Sequence, residues 1–249
     1  LEEGFKITPE KLAAAITEKT RLVVINSPSN PTGVCYTLAE LKALAEVLKQ
    51  HPNIVIASDD MYEHIVWGDE PFCNILNAAP ELYDRTVVLN GVSKAYSMTG
   101  WRIGYAAGPV ELIKAMKKIQ SQSTSNPTSI SQVAATAALT GGHECIQVML
   151  KEFKKRHDYV VEALNEIEGF DCLPSQGAFY SFPCVKGAID KMDGINNDVE
   201  FAEHLLTQAG VALVPGSAFG SPGYMRLSFA TSMENLEAAI MRIKSAICA

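Results

Sequence analysis

Lys94 and Arg102 stand eight residues apart, each beside an apolar run that reads as a strand. Thr86-Val87-Val88-Leu89 leads into the turn-rich pair Asn90-Gly91 and then Ser93-Lys94. Thr99-Gly100-Trp101 precedes Arg102, and Ile103-Gly104-Tyr105-Ala106-Ala107 comes after it. Cations so near buried strands are costly unless something pairs with them. A desolvated lysine beside a second cation has a lowered pKa, and its free amine attacks a carbonyl to form a Schiff base. Arginine keeps its proton, and its planar fork suits a phosphate. Together they offer what pyridoxal phosphate needs. The plain alternative is a surface loop with two solvated cations, and the pair Ser-Lys alone does not exclude it.

Other positions carry groups that could join such a site. Leu22-Val23-Val24-Ile25 is a short strand running into Asn26–Gly33, whose two X-Pro steps predict a rigid, extended loop. Asn30 lies in that loop, and its amide can donate hydrogen bonds. Ile54-Val55-Ile56-Ala57 is a further strand, ending in Ser58-Asp59-Asp60-Met61-Tyr62. An acidic residue there is ordinarily a cap or a surface group. Tyr224–Ala230 reads as an alternating strand with Arg226 inside it, where an arginine on the polar face is most often simply solvated.

Helices must position these strands. Thr37 and Glu40 form a capping box opening a helix with Leu38, Leu41, Leu44, Ala45 and Leu48 on one face. Pro109–Gln120 predicts a helix with Leu112, Ile113, Met116 and Ile119 inward, and Ile130–Leu139 another. Cys145–Glu168 predicts one long helix stopped by Gly169. Residues 186–197 read as a polar loop, and Ser232 caps a last helix with Leu236, Ile240 and Ile243 on one face.

The string SKAYSMTGWRIGY (93–105) resembles the cofactor-lysine signature of the class I/II aminotransferases, pyridoxal-phosphate enzymes of fold type I. It is most similar to the branch holding bacterial aspartate and prephenate aminotransferases. SNPTG (29–33), Asp59-x-x-Tyr62, GAFY (177–180), SAFG (217–220) and RLSFA (226–230) resemble further motifs of the family. The resemblance implies an α/β chain: an incomplete large domain with a mainly parallel sheet over residues 1–142, and an α/β small domain with its connecting helix over 143–249. It implies that Lys94 carries pyridoxal 5'-phosphate as a Schiff base and then moves the substrate's Cα proton. Asp59 falls under the ring nitrogen, Tyr62 at the ring's phenolic oxygen, and Arg102 on the phosphate. Asn30 falls on the ring oxygen and the substrate carboxylate, and Arg226 on that carboxylate. Asp60 is a neighbouring candidate for the ring nitrogen, but Asp59 matches the family spacing. Relatives carry a phosphate-touching serine three residues before the lysine; here that position is Gly91, whose backbone N–H or Ser93 stands in for it.

The implied activity is amino transfer between an L-amino acid of aspartate or glutamate type and a 2-oxo acid, in a cytoplasmic homodimer. Two other readings share these motifs. One is a different pyridoxal-phosphate reaction, such as a carbon–sulfur lyase or a ring-forming synthase; the other is a non-catalytic regulator domain on the same fold. The family's N-terminal portion is expected to lie outside this sequence, which opens at Leu1 rather than Met, so the chain is read as a fragment, or as one whose upstream part was cleaved or left out, that can be inactive on its own.

Composition is consistent with this. Over 249 residues, hydrophobic residues make up 47% and charged residues 20%, as in a chain with a real core. The net charge of −7 argues against nucleic acid or an anionic membrane as partner. Six cysteines without a CxxC and five histidines without paired spacing give no reason to expect a metal or redox motif, and reduced thiols are expected.

Overall fold

The computed structural model of the chain describes residues 3–247. The chain divides into two compact units: an N-terminal one of residues 5–28 and 34–148, and a C-terminal one of the remainder, which includes residues 29–33.

In the N-terminal unit, α1 (Pro9–Ala15) starts where the Thr8 side chain accepts the Lys11 amide. β1 (Leu22–Asn26), β2 (Val55–Asp59), β3 (Thr86–Gly91) and β4 (Gly104–Ala107) form a sheet in that order. The first three are parallel and β4 is antiparallel to β3, so the sheet is mixed but mainly parallel. α2 (Leu38–Lys49) opens with the expected Thr37–Glu40 capping box. Its Leu41, Leu44 and Leu48 pack with Ile56 of β2, Leu12 of α1 and Ile75 of α3 (Ile75–Ala78). Leu38 departs from the expected face and is 38% exposed. The guanidinium of Arg85 closes the far end of α2, donating to the carbonyls of Leu48, His51 and Ile54.

α4 (Val110–Ser121) and α5 (Ser129–Thr140) form as the pattern predicts, but of the α4 residues expected inward only Leu112 and Ile113 are half-buried. Met116 and Ile119 are exposed, as are Ile130 and Val133 of α5, whereas Ala135 of α5 is buried.

α6 (Glu144–Asn165) carries the chain into the C-terminal unit. It stops at Asn165, short of Glu168, because the Asn165 side chain turns to bond both the amide and the carbonyl of Cys172. Gly169 comes next at φ +85°, with the Ala188 amide nitrogen inside the space a Cβ would take, so both the backbone angle and the packing call for glycine. β5 (Tyr180–Ser181) begins later than the GAFY segment suggests, since Ala178 is left-handed (φ +58°). α7 (Lys186–Ile189), with Ala188 and Ile189 buried, replaces the start of the expected polar loop. α8 (Asp198–His204) runs into a π-helical turn, Leu205–Ala209. β6 (Val214–Pro215) and β7 (Met225–Ser228) complete a sheet ordered β5-β7-β6, all antiparallel. α9 (Met233–Ile247) buries Leu236, Ile240 and Ile243.

Among the described residues the cysteines form no disulfide, and Cys248 lies outside them. Among the described residues there is no cluster of three potential metal ligands and no helix long and apolar enough to cross a membrane.

Candidate active site

The parallel run of β1–β3 puts their C-terminal ends on one edge of the sheet, and β4 starts at that edge. In open α/β sheets this is the edge where ligands bind. Asp59 is the last residue of β2, in register with Asn26 of β1 and Leu89 of β3. Its Oδ1 accepts the Met61 amide at 3.3 Å, and Asn26 Nδ2 donates to its backbone carbonyl at 3.1 Å. Asp60 differs. It is buried, with Oδ1 accepting from Ser58 Oγ at 2.7 Å and Oδ2 from Asn74 Nδ2 at 2.7 Å. Burial raises its pKa against those two bonds, so it is a structural pin at the head of α3.

Tyr62 is buried just beyond β2, and Lys94 Nζ lies 6.0 Å from the centre of its ring. Lys94 lies three residues past the end of β3 at Gly91. The turn between them is fixed by Asn90, whose Oδ1 accepts the Gly91 amide at 2.7 Å while its Nδ2 donates to Glu63 Oε1 at 2.6 Å. The Gly91 N–H is thus committed to Asn90 rather than offered to a ligand, and Ser93 is half-buried. A Cβ at Gly91 would lie 3.1 Å from Met61 Cε and 3.2 Å from Gly104 Cα, so a serine here would press on the facing strand. Arg102 precedes β4 in the left-handed region (φ +52°), a conformation that costs a non-glycine residue about 1–2 kcal/mol. Its exposed guanidinium donates from Nη1 to Thr99 O at 2.9 Å.

The C-terminal unit holds the other two positions. Arg226 lies in the middle of β7 and is half-buried. Its Nη1 donates to Asn30 Oδ1 at 2.8 Å. Its Cζ sits 4.7 Å from the ring centre of Tyr180 on β5 and 4.9 Å from that of Phe219. Its buried Nε has no hydrogen-bond partner among the described residues. The loop bearing Asn30 is closed by the Gly33 amide donating to Ser29 O at 2.8 Å. Asp198, fully buried at the head of α8, accepts from the Ser217 amide and hydroxyl, each at 2.7 Å, and so pins the turn that carries Phe219.

The structure therefore gathers Asp59, Tyr62, Lys94 and Arg102 along one sheet edge, and Asn30 with Arg226 in a second cluster. Sequence reasoning misses the Tyr180 and Phe219 rings as parts of that cluster. GAFY and SAFG mark their segments, but nothing in the letters says that both rings face one guanidinium.

An amine, a carboxylate, a phenol and a guanidinium thus lie along one strand edge of the N-terminal unit, and the C-terminal unit holds a second arginine beside two aromatic rings. The family model described as aminotransferase class I and II matches residues 1–243, and the chain belongs to that family. It is 56% identical over 250 residues to the aspartate/prephenate aminotransferase of Nitrosomonas europaea, and 52% identical over 242 residues to the aspartate aminotransferase of Geobacillus stearothermophilus. These matches cover 98% and 97% of this chain, but 63% and 61% of the relatives. The chain thus spans somewhat less than two thirds of the length of the curated relatives it matches. Among solved structures, the Rhizobium meliloti aspartate aminotransferase is similar at TM-score 0.94 and 49% identity, over 99% of this chain and 63% of that one. The Thermus thermophilus aspartate aminotransferase with maleate is similar at TM-score 0.88 and 40% identity, over 98% of this chain and 62% of that one. The α/β fold expected from the sequence, with a mainly parallel sheet, is the one observed.

Proposed function

We propose that the protein at its full natural length is an aminotransferase moving an amino group between an L-amino acid of aspartate or glutamate type and a 2-oxo acid. Pyridoxal 5'-phosphate fits the donor set of the strand edge: an amine for its aldehyde, a carboxylate for its ring nitrogen, a phenol for its ring oxygen and a guanidinium for its phosphate. The observation that carries the reading is the placement of Asp59, Tyr62 and Lys94 at or just beyond the ends of adjacent parallel strands, with Arg102 two residues before β4 at the same edge.

When bound, the cofactor supplies an aldehyde that condenses with amines and a ring that withdraws electrons from the substrate's Cα. Lys94 would hold that aldehyde through its Nζ, and the same amine would take the proton from the substrate's Cα. Asp59 would keep the ring nitrogen protonated. Tyr62 would hydrogen-bond the ring oxygen, and Arg102 would anchor the phosphate. Arg226 and Asn30 receive the substrate α-carboxylate, which fixes the Cα–H bond. Residues 1–142 are read as part of the large cofactor-binding domain, and 143–249 as the small domain with its connecting helix. The exposed apolar residues of α4 and α5 support a homodimer, and a cytoplasmic site of action completes the reading.

The test is chemical. The protein is incubated with pyridoxal phosphate, reduced with borohydride and digested. The reading requires the added pyridoxyl mass on the peptide containing Lys94, and its absence in Lys94→Ala. Mass on another lysine, or unchanged labelling in Lys94→Ala, would overturn it.

A further inference from the structure

His157, in the middle of α6, is nearly fully buried at 4% exposure and has no place in the chemistry above. Its Nε2 accepts the backbone amide of Ser175 at 2.9 Å. The proton must then sit on Nδ1, which donates to Asp158 Oδ1 at 2.9 Å, and Lys154 bonds the same carboxylate. The acceptor role demands a neutral ring, and burial favours that form by lowering its pKa.

The segment His157 holds is the one that frames Arg226. Just beyond Ser175, the amides of Gln176 and Gly177 both donate to Gly33 O, at 3.2 and 2.9 Å. Gly33 (φ +71°) packs so closely that a Cβ there would stand 2.7 Å from Ser175 Cβ. Gly33 closes the loop that presents Asn30 Oδ1 to Arg226. The same segment then supplies Phe179, whose carbonyl accepts the Phe229 amide at 3.0 Å, and Tyr180, whose ring covers the guanidinium. Phe229 meets the His157 ring edge-on at 5.9 Å, and Phe153, one turn earlier on α6, meets Phe179 at 5.5 Å. One helix face thus touches both the 175–180 segment and Phe229, the residue that follows β7.

We infer that His157 is a positioning residue for the guanidinium of Arg226, acting through the Ser175 amide on the 175–180 segment and the Asn30 loop. The inference rests on Arg226 being the carboxylate ligand of the proposed function, and the experiment separates the two.

His157→Leu fills similar space without an acceptor and strands a buried N–H. His157→Gln puts an amide oxygen where Nε2 stood. With maleate as probe, the full-length protein with His157→Leu should bind about tenfold more weakly than the parent, and His157→Gln within about twofold of it. Hydrogen exchange at Ser175, Gln176 and Gly177 should quicken in His157→Leu and stay slow in His157→Gln, whatever the ligand. Equal exchange in parent and His157→Leu, or equal losses in both variants, would overturn the inference. If the parent binds no maleate yet exchange responds as stated, the bracing stands and the carboxylate role of Arg226 falls. Maleate binding that is unchanged in His157→Leu while exchange quickens would also overturn it, since the segment would then not govern Arg226.

Discussion

The two clusters of candidate residues are held in place by different physics. At the strand edge of the N-terminal unit, position comes from topology. Asp59 and Lys94 are where they are because parallel strands end together, and short turns such as the one Asn90 fixes aim the residues beyond each strand. Around Arg226, position comes from side chains. Two aromatic rings, one amide oxygen and a neighbouring strand confine the guanidinium on several sides. A strand-edge group should therefore tolerate changes in its neighbours' side chains, while the arginine should respond to any change in its walls.

The sharpest contrast comes from removing the reacting groups themselves. On the proposed function, Lys94→Ala should lower kcat by roughly 10²–10⁴-fold, since it removes the amine proposed to move the proton. The measurement is steady-state turnover, and a residual rate within tenfold of the parent would break the assignment. Arg226→Lys keeps the charge and loses the fork. It should raise KM for the amino acid by about 10–100-fold, with covalent labelling at Lys94 unchanged. If labelling fell along with binding, the two clusters would not be the separate devices described.

Phe219→Leu tests the walls directly. It retains apolar cover but removes a ring 4.9 Å from Arg226 Cζ. The expected loss in maleate affinity is about threefold to tenfold, the range of a partly desolvated cation–π contact. At the strand edge the corresponding change is Met61→Leu, beside Gly91, and there affinity for the cofactor should move by less than about twofold. Equal sensitivity at the two places would erase the distinction between topology and packing.

That distinction also explains what can be read from the residues alone. Strand ends are local: a β-branched run leading to Asn-Gly-x-Ser-Lys marks both the strand and where its cation emerges. β3 and β4 indeed frame Lys94 and Arg102. The preference for Asp59 over Asp60 rests on spacing, and the structure adds a physical reason, because Asp60 already has two internal donors. The cover of Arg226 is not legible, since Tyr180 and Phe219 come from segments 39 residues apart and meet only through antiparallel pairing of short strands. Likewise the apolar stripe of α4 has helical spacing, but spacing names a face and not what covers it; Met116 and Ile119 remain exposed. His157 carries no signal at all, because its partner is a backbone amide.

The smallest expected effect falls on Asp198, one step removed from the arginine. Burial acts to raise its pKa, but hydrogen bonds from the Ser217 amide and hydroxyl and from the Gly223 amide outweigh this and hold it below the usual value. A carboxyl that is more acidic folded than unfolded binds fewer protons in the folded state. Its contribution is therefore complete above the unfolded pKa of about 4, and is lost as the pH falls below that toward the folded value. Asp198→Asn keeps one acceptor and cannot titrate. It should cost about 1–2 kcal/mol at neutral pH, and it should flatten the acid limb of a plot of melting temperature against pH below about 4. Because Ser217 lies in the turn that ends in Phe219, the same substitution should loosen maleate binding by about twofold while leaving labelling at Lys94 untouched. An acid limb as steep in Asp198→Asn as in the parent would assign that slope to other carboxylates and remove Asp198 from the support of the arginine.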